Sequence, residues 1–215
     1  MTVTLSEAGR LRIGVWGGSF DPTHVGHLIM AESVREALSL DMVLFVPVGE
    51  QPLKVGLPIT PAVHRLAMVE LAIEGNPSFR LSRVDVDRPG PSYTYDTLAA
   101  LRREWGGPEA VSMWFIMGAD SLASFPRWHK PHEIVAEVRL AVVRRPGVAL
   151  DLPSLYSQIP GLEHSVDWVY APLVGITATD VRRRLSQEQS VRYRVPREVE
   201  EYIQANGLYT QDAEG

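Results

Sequence analysis

LRIGVWGGSFDPTHVGH, residues 11–27, is the stretch from which the rest of the chain is read. Its first six residues, Leu11 to Trp16, are apolar and β-rich and end in Gly17-Gly18, the pattern of a buried first strand. A turn dipeptide, Asp21-Pro22, follows. From His27 the apolar positions Leu28, Ala31, Val34 and Leu38 recur near a helical period, so a helix begins at the histidines. His24 and His27 therefore stand at a strand-to-helix junction. Glycines there let a ligand approach the backbone amides closely. The helix start supplies free N–H groups and about half a positive charge, which suits an anion. Histidines spaced i, i+3 can aim both rings to one side and add donors and charge near neutral pH. The plainer readings are a tight turn and two solvated histidines, and the strand–Gly-Gly–turn–helix context favours phosphate over both. Zinc is the other chemical reading, but it needs a third and a fourth ligand. The chain has no cysteine, and His129 and His132 repeat the spacing only with Lys130 and Pro131 between them.

Strands and helices alternate outward from this junction. DMVLFVP (41–47) reads as a second buried strand, stopped by Pro47. The loop GEQPLKVGLPIT leads to Thr60-Pro61, an N-cap and first helical residue, for a helix through Ile73. FRLSRVDVD (79–87) is a third strand region, and the turn-rich PGPSYTYDT opens a helix from Thr97 to Trp105. VSMWFIMG (111–118), RLAVVRRPG (139–147) and SVDWVYAPL (165–173) give three more strands, with a loop around Trp128. One closing helix begins near Thr177. The last runs from Pro196 to about Asn206, with Gly207 as its C-cap. The expected fold is α/β: a doubly wound, mostly parallel sheet with helices on both faces, in a single domain over residues 1–215. Such sheets bind ligands outside the carboxyl ends of their strands, near the switch point. GGSFDPTHVGH, GADS (118–121) and RRPG (144–147) each follow a strand and so face one crevice.

Composition excludes several function classes. The net charge of −5 argues against a nucleic-acid partner held by bulk charge. The absence of cysteine removes disulfides and thiolate-rich metal sites and fits a cytoplasmic protein. The first residues, MTVTLSEAGRLR, do not read as a signal peptide, and no segment approaches the ~20 apolar residues of a membrane helix.

A second phosphate motif lies late in the chain: Thr177-Ala178-Thr179-Asp180-Val181-Arg182, inside GITATDVRRRL. Hydroxyls and amides at a helix start suit terminal phosphates, and an arginine one turn on adds bidentate contacts. Alone, this reads as a cap by Thr177 with Arg182 to Arg184 on a solvated face. Beside His24-Val25-Gly26-His27 it reads otherwise. HVGH matches the HxGH signature of the nucleotidyltransferase superfamily, and TATDVR its [ST]-x-T-x-x-R segment. GPSYTYDTL, MGADSLASFPRWHKPHEI, VVRRPG and VPREVEEYIQANGLY resemble, in order, segments of the bacterial nicotinate-nucleotide adenylyltransferases, a resemblance that covers about residues 12–209.

The resemblance implies a Rossmann-like nucleotidyltransferase fold and a reaction. AMP would pass from ATP to nicotinic acid mononucleotide, giving nicotinic acid adenine dinucleotide and pyrophosphate in NAD biosynthesis, with Mg²⁺ carried by ATP and no protein-held metal. It implies that His24, His27 and Arg182 act on the phosphates. Gly17, Gly18, Ser19 and Phe20 would line the nucleotide with backbone atoms, Thr177 and Thr179 would hold the terminal phosphates, and Gly118, Asp120 and Arg145 would lie by the nucleoside. Tyr93, Thr94, Trp128 and His129 would form the acceptor pocket, with Trp128 stacked on the pyridine ring and Lys54 adding charge. The segment PVGEQPLK departs from the family: Val48 and Gly49 stand where asparagines are common, and Leu53 replaces a histidine, so no acceptor contact is carried to them. Another adenylyl- or cytidylyltransferase, or a sensor that binds nucleotide without turnover, shares part of the pattern. The short, acidic chain argues against an RNA ligase related through the HIGH signature.

Overall fold

The computed structural model describes residues 9–50, 59–144 and 149–210. Six strands form one sheet: β1 (Leu11–Gly18), β2 (Met42–Pro47), β3 (Phe79–Leu81), β4 (Val111–Gly118), β5 (Arg139–Val143) and β6 (Val166–Val169). Their order is β3-β2-β1-β4-β5-β6, and every ladder is parallel. The chain winds outward from β1 in one direction and from β4 in the other. The switch point thus falls between the carboxyl ends of these two strands, at Gly17-Gly18 and Gly118.

Continuous apolar runs arise because both faces of the sheet are covered. Ile13, Val15, Met42, Leu44, Val46, Met113, Phe115, Leu140 and Val142 point to one face. There they pack under α3 (Thr94–Glu104), α4 (Ala119–Ser124), α5 (Pro131–Glu137), α6 (Leu152–Gln158) and α7 (Leu162–Ser165) through residues such as Leu98, Leu101, Leu122, Ile134, Leu155 and Leu162. The intervening residues Trp16, Val43, Phe45, Trp114, Ile116, Ala141 and Val143 point to the other face. They meet Ala31 and Val34 of α1 (Val25–Ala37) and Val69 and Ile73 of α2 (Ala62–Ile73). A third cluster joins Met68 of α2 to Val181 of α8 (Ala178–Ser186) and to Val199 and Ile203 of α9 (Arg197–Ala205). That cluster seats α8 and α9 against α2.

Several boundaries differ from the expectation. α2 begins at Ala62, with Pro61 and not Thr60 as its N-cap. β3 keeps only Phe79–Leu81 of the nine residues expected, because the chain turns over residues 84–86, where Asp85 is drawn inward to accept the Thr97 hydroxyl. α3 starts at Thr94, not Thr97. The segment before Trp128 is not a loop but α4 followed by a 3-10 turn, Phe125–Arg127. At the end of α9 the C-cap is Asn206, and Gly207 follows at φ 58°.

Candidate active site

The carboxyl ends of β1 and β4 open onto a cleft of about 330 Å³. Gly17, Gly18, Ser19 and Phe20 form one wall, His24, Gly26 and His27 the helix-start corner, and Gly118, Asp120 and Ser121 the wall after β4. Thr177 and Ala178 close it from the start of α8, and Trp128 also lines it.

His24 is the N-cap residue of α1 and His27 its third helical residue, joined in a reciprocal capping box. The His24 backbone N–H donates to His27 Nδ1 over 3.2 Å. An accepting Nδ1 carries no hydrogen, so the ring hydrogen of His27 sits on Nε2. The two imidazoles lie face to face, with centroids 3.6 Å apart and planes 22° apart. Gly26 makes this possible, since a Cβ there would lie 3.0 Å from His24 Nδ1. The ring of Phe20, fully buried at φ 49°, meets His27 edge-on at 5.1 Å and fixes it from the other side. On the β4 side, Gly118 leaves room for the Asp120 carboxylate, whose Oδ1 would lie 2.5 Å from a Cβ at Gly118.

Thr177 caps α8 by accepting the Asp180 N–H over 3.0 Å. This leaves the hydroxyl hydrogen to donate into the cleft. Arg182 lies one turn on and gives Nη1 to the Asp21 carbonyl over 2.6 Å, which ties α8 to the loop after β1. Arg183 pairs with Asp180, and Arg184 donates to the Ser190 carbonyl. Thr179 is not among the residues that line the cleft. Trp128 is half-buried, edge-on to Phe115 at 5.8 Å, with its indole N–H on Ser124. Tyr93 and His129 lie outside the cleft wall but meet ring to ring at 4.5 Å, and Thr94 is the first helical residue of α3 beside them. Lys54 and Arg145 lie outside the described residues. Among the described residues, no group of three or more His, Asp or Glu side chains is arranged to hold a metal.

A family model described as Cytidylyltransferase-like matches residues 15–184. A probable nicotinate-nucleotide adenylyltransferase of Thermomicrobium roseum is 50% identical over 92% of this chain and 91% of its own. One from Roseiflexus sp. is 48% identical over 92% of this chain and 97% of its own. The chain belongs to the nicotinate-nucleotide adenylyltransferase family. A Plasmodium falciparum nicotinic acid mononucleotide adenylyltransferase complexed with NaAD shares the fold, with a TM-score of 0.75 at 18% identity over 93% of this chain and 98% of that one.

Within this nucleotidyltransferase, two arginines of the site region escape a reading of the sequence. Arg144 lines the cleft, stacked over Trp168 at 4.6 Å and Tyr170 at 5.5 Å. Only its place at a strand end, in RRPG, signals it. Arg65 of α2 is 1% exposed and donates to the backbone carbonyls of Thr60, Ser19 and Val48. It thereby joins the loop after β1 to the loop after β2. The available signal was an arginine in the apolar register of AVHRLAMVEL, one turn from Met68 and Val69. Among the described residues no helix is long and apolar enough to cross a membrane.

Proposed function

We propose that this enzyme transfers AMP from ATP to nicotinic acid mononucleotide and releases pyrophosphate. The observation that carries the reading is the stacked His24–His27 pair at the start of α1, facing the Gly17–Phe20 wall and the capped start of α8 across one cleft. Two helix starts converge there, and both favour anions. The relatives at up to 50% identity, named for this activity, support the choice of substrates.

An acceptor phosphate oxygen attacks the α-phosphorus of ATP, and the bond to the bridging oxygen of the β-phosphate breaks. The attacking oxygen is already an anion, so no protein nucleophile or base is required. Catalysis is positioning plus charge neutralisation. His27 donates from Nε2 to the phosphates, with His24 stacked against it. Thr177, at the cleft wall, holds the terminal phosphates as pyrophosphate leaves, with Thr179 and Arg182 following it on the same helix start. Gly17, Gly18, Ser19 and Phe20 line the nucleotide, with Gly118, Asp120 and Arg145 at the nucleoside. Mg²⁺ enters with ATP as part of the substrate and offsets phosphate charge. ATP as substrate fits a cytoplasmic enzyme.

The acceptor ring stacks on Trp128, between Tyr93, Thr94 and His129, with Lys54 as an added charge. Thr94 is the first residue of α3, where a helix leaves its own amides unused. Amide donors suit the nicotinate carboxylate, and they oppose the NH₂ of the corresponding amide. The test is pyrophosphate release with ATP and Mg²⁺, comparing nicotinic acid mononucleotide with its amide. Release with the acid alone supports both the reaction and the account of selectivity. Equal release with both keeps the reaction and discards the selectivity. Release with neither overturns the reading.

A further inference from the structure

Asp21, buried at 5% exposure, sits within the loop that connects Ser19 and Phe20 to His24. Three distant segments donate to this one residue. Tyr209 Oη donates to Oδ1 over 2.6 Å, the Thr60 N–H approaches Oδ2 at 3.3 Å, and Arg182 Nη1 donates to the carbonyl over 2.6 Å. The Tyr209 bond has the length of an O–H···O⁻ bond to an ionised carboxylate, among the stronger kinds in proteins. Its donor comes from the far end of the chain, 188 residues away.

The backbone is shaped to deliver that hydroxyl. After α9 the chain passes through Gly207 at φ 58° and then Tyr209 at φ 64°. A bulky aromatic residue rarely adopts such a conformation, and it persists only where surrounding contacts hold it. The contacts here are Asp21 and Met68 of α2. Burial, with the Asp21 charge beside it, pushes the Tyr209 hydroxyl far above its ordinary pKa, so it remains a donor at any physiological pH.

We propose that Tyr209 is a positioning residue for AMP transfer, holding the Ser19–His24 loop through Asp21 in the placement that stacks His24 on His27. The inference rests on the function proposed above. Tyr209 touches neither substrate in this account. It acts on the phosphates only through the loop, where small misplacements of phosphate-contacting groups are costly in rate.

The test compares Tyr209→Phe with Tyr202→Phe. Tyr202 lies in the same C-terminal segment, and its hydroxyl is likewise hydrogen-bonded to a residue of α2, but to His64 Nδ1 at 2.9 Å rather than to Asp21. Each variant loses one hydrogen-bonded hydroxyl from a half-buried tyrosine, so Tyr202→Phe controls for stability. Tyr209→Phe is expected to lower kcat roughly 10- to 100-fold, with the acceptor KM unchanged. Tyr202→Phe is expected to lose a similar amount of Tm and keep wild-type kcat. Wild-type kcat in Tyr209→Phe, or equal loss of kcat in both variants, overturns the inference. In an Asp21→Ala background Tyr209→Phe is expected to cost no further turnover, and additive losses would also overturn it. If wild type releases no pyrophosphate, the functional reading fails and this inference with it. If wild type is active and Tyr209→Phe matches it, the inference alone fails.

Discussion

The rings of His24 and His27 stack at 3.6 Å, and the bond that sets them so is internal: His27 Nδ1 accepts the backbone N–H of His24. His27 thus does two things at once. It caps the first turn of α1, and in the proposed reaction its Nε2 donates to a phosphate. His27→Ala is expected to lower kcat by roughly 10²-fold or more, as removal of one donor to a developing anion does elsewhere. Near-normal turnover at saturating ATP would remove His27 from the phosphates.

Gly26 separates stability from activity. It is the second residue of α1, where alanine is the better helix former by about 0.5–1 kcal/mol. A methyl group there would lie 3.0 Å from His24 Nδ1, so the His24 ring must give way by a few tenths of an ångström. Gly26→Ala is expected to keep or raise Tm while kcat falls several-fold. Thermal melts and saturation kinetics on one preparation check this. Falls in both, or in neither, would mean that ring placement is not what the glycine protects.

Trp128 serves the core as well as the cleft, since it packs on both Phe115 and Phe125. Trp128→Ala is therefore expected to raise the acceptor KM and also to cost about 1–3 kcal/mol of stability. Trp128→Phe keeps an aromatic surface and loses the Ser124 bond, so it should recover most of the acceptor affinity. Measured KM values for both substrates decide the matter. A raised ATP KM with an unchanged acceptor KM contradicts stacking on the pyridine ring.

What could be read from the sequence was local and periodic. β4 over Val111–Gly118 has the expected bounds, because a strand facing two cores gives a nearly continuous apolar run. The junction at His24 was legible because Gly-Gly, a turn and a helix start fall within a dozen residues. Tertiary contacts were not legible. Nothing near Asp21 announces that Tyr209 and Arg182 reach it, and nothing in FRLSRVDVD says that Asp85 leaves the strand for Thr97. The short helices α6 and α7 are hidden because seven and four residues carry too little periodicity to stand out from loop.

Arg65 ties three backbone segments together through one side chain. One guanidinium serves three carbonyls from three segments, at 2.8, 2.9 and 2.8 Å. Arg65→Met fills similar volume but leaves those acceptors without a donor, each worth about 1–3 kcal/mol when buried. A loss of about 3 kcal/mol or more is expected in urea unfolding. Arg65→Lys should recover little, because a point ammonium cannot span the same fork. A loss below about 1 kcal/mol in Arg65→Met would mean that water replaces the guanidinium.

Two carboxylates should tilt stability against pH in opposite directions. Asp167 accepts a bidentate pair from Arg139 at 2.6 and 2.7 Å and the Trp114 indole N–H at 2.8 Å. The Arg139 bonds chiefly hold it below its ordinary value of 3.8. Its contribution is therefore complete above that value and is lost as pH falls through the depressed one. Asp85 is the reverse case. Burial, the largest cause, raises it above 3.8 despite the bond from Thr97 and the charge of Arg88. Its protonated form suits the fold better, so its contribution is present at low pH and is lost as pH rises through the raised value. Unfolding midpoints from about pH 7 down to about pH 3 test both. The gap between wild type and Asp167→Asn should narrow on acidification. The same comparison for Asp85→Asn should shift in favour of wild type over that range. Parallel slopes in the two variants would refute the assignment of opposite signs.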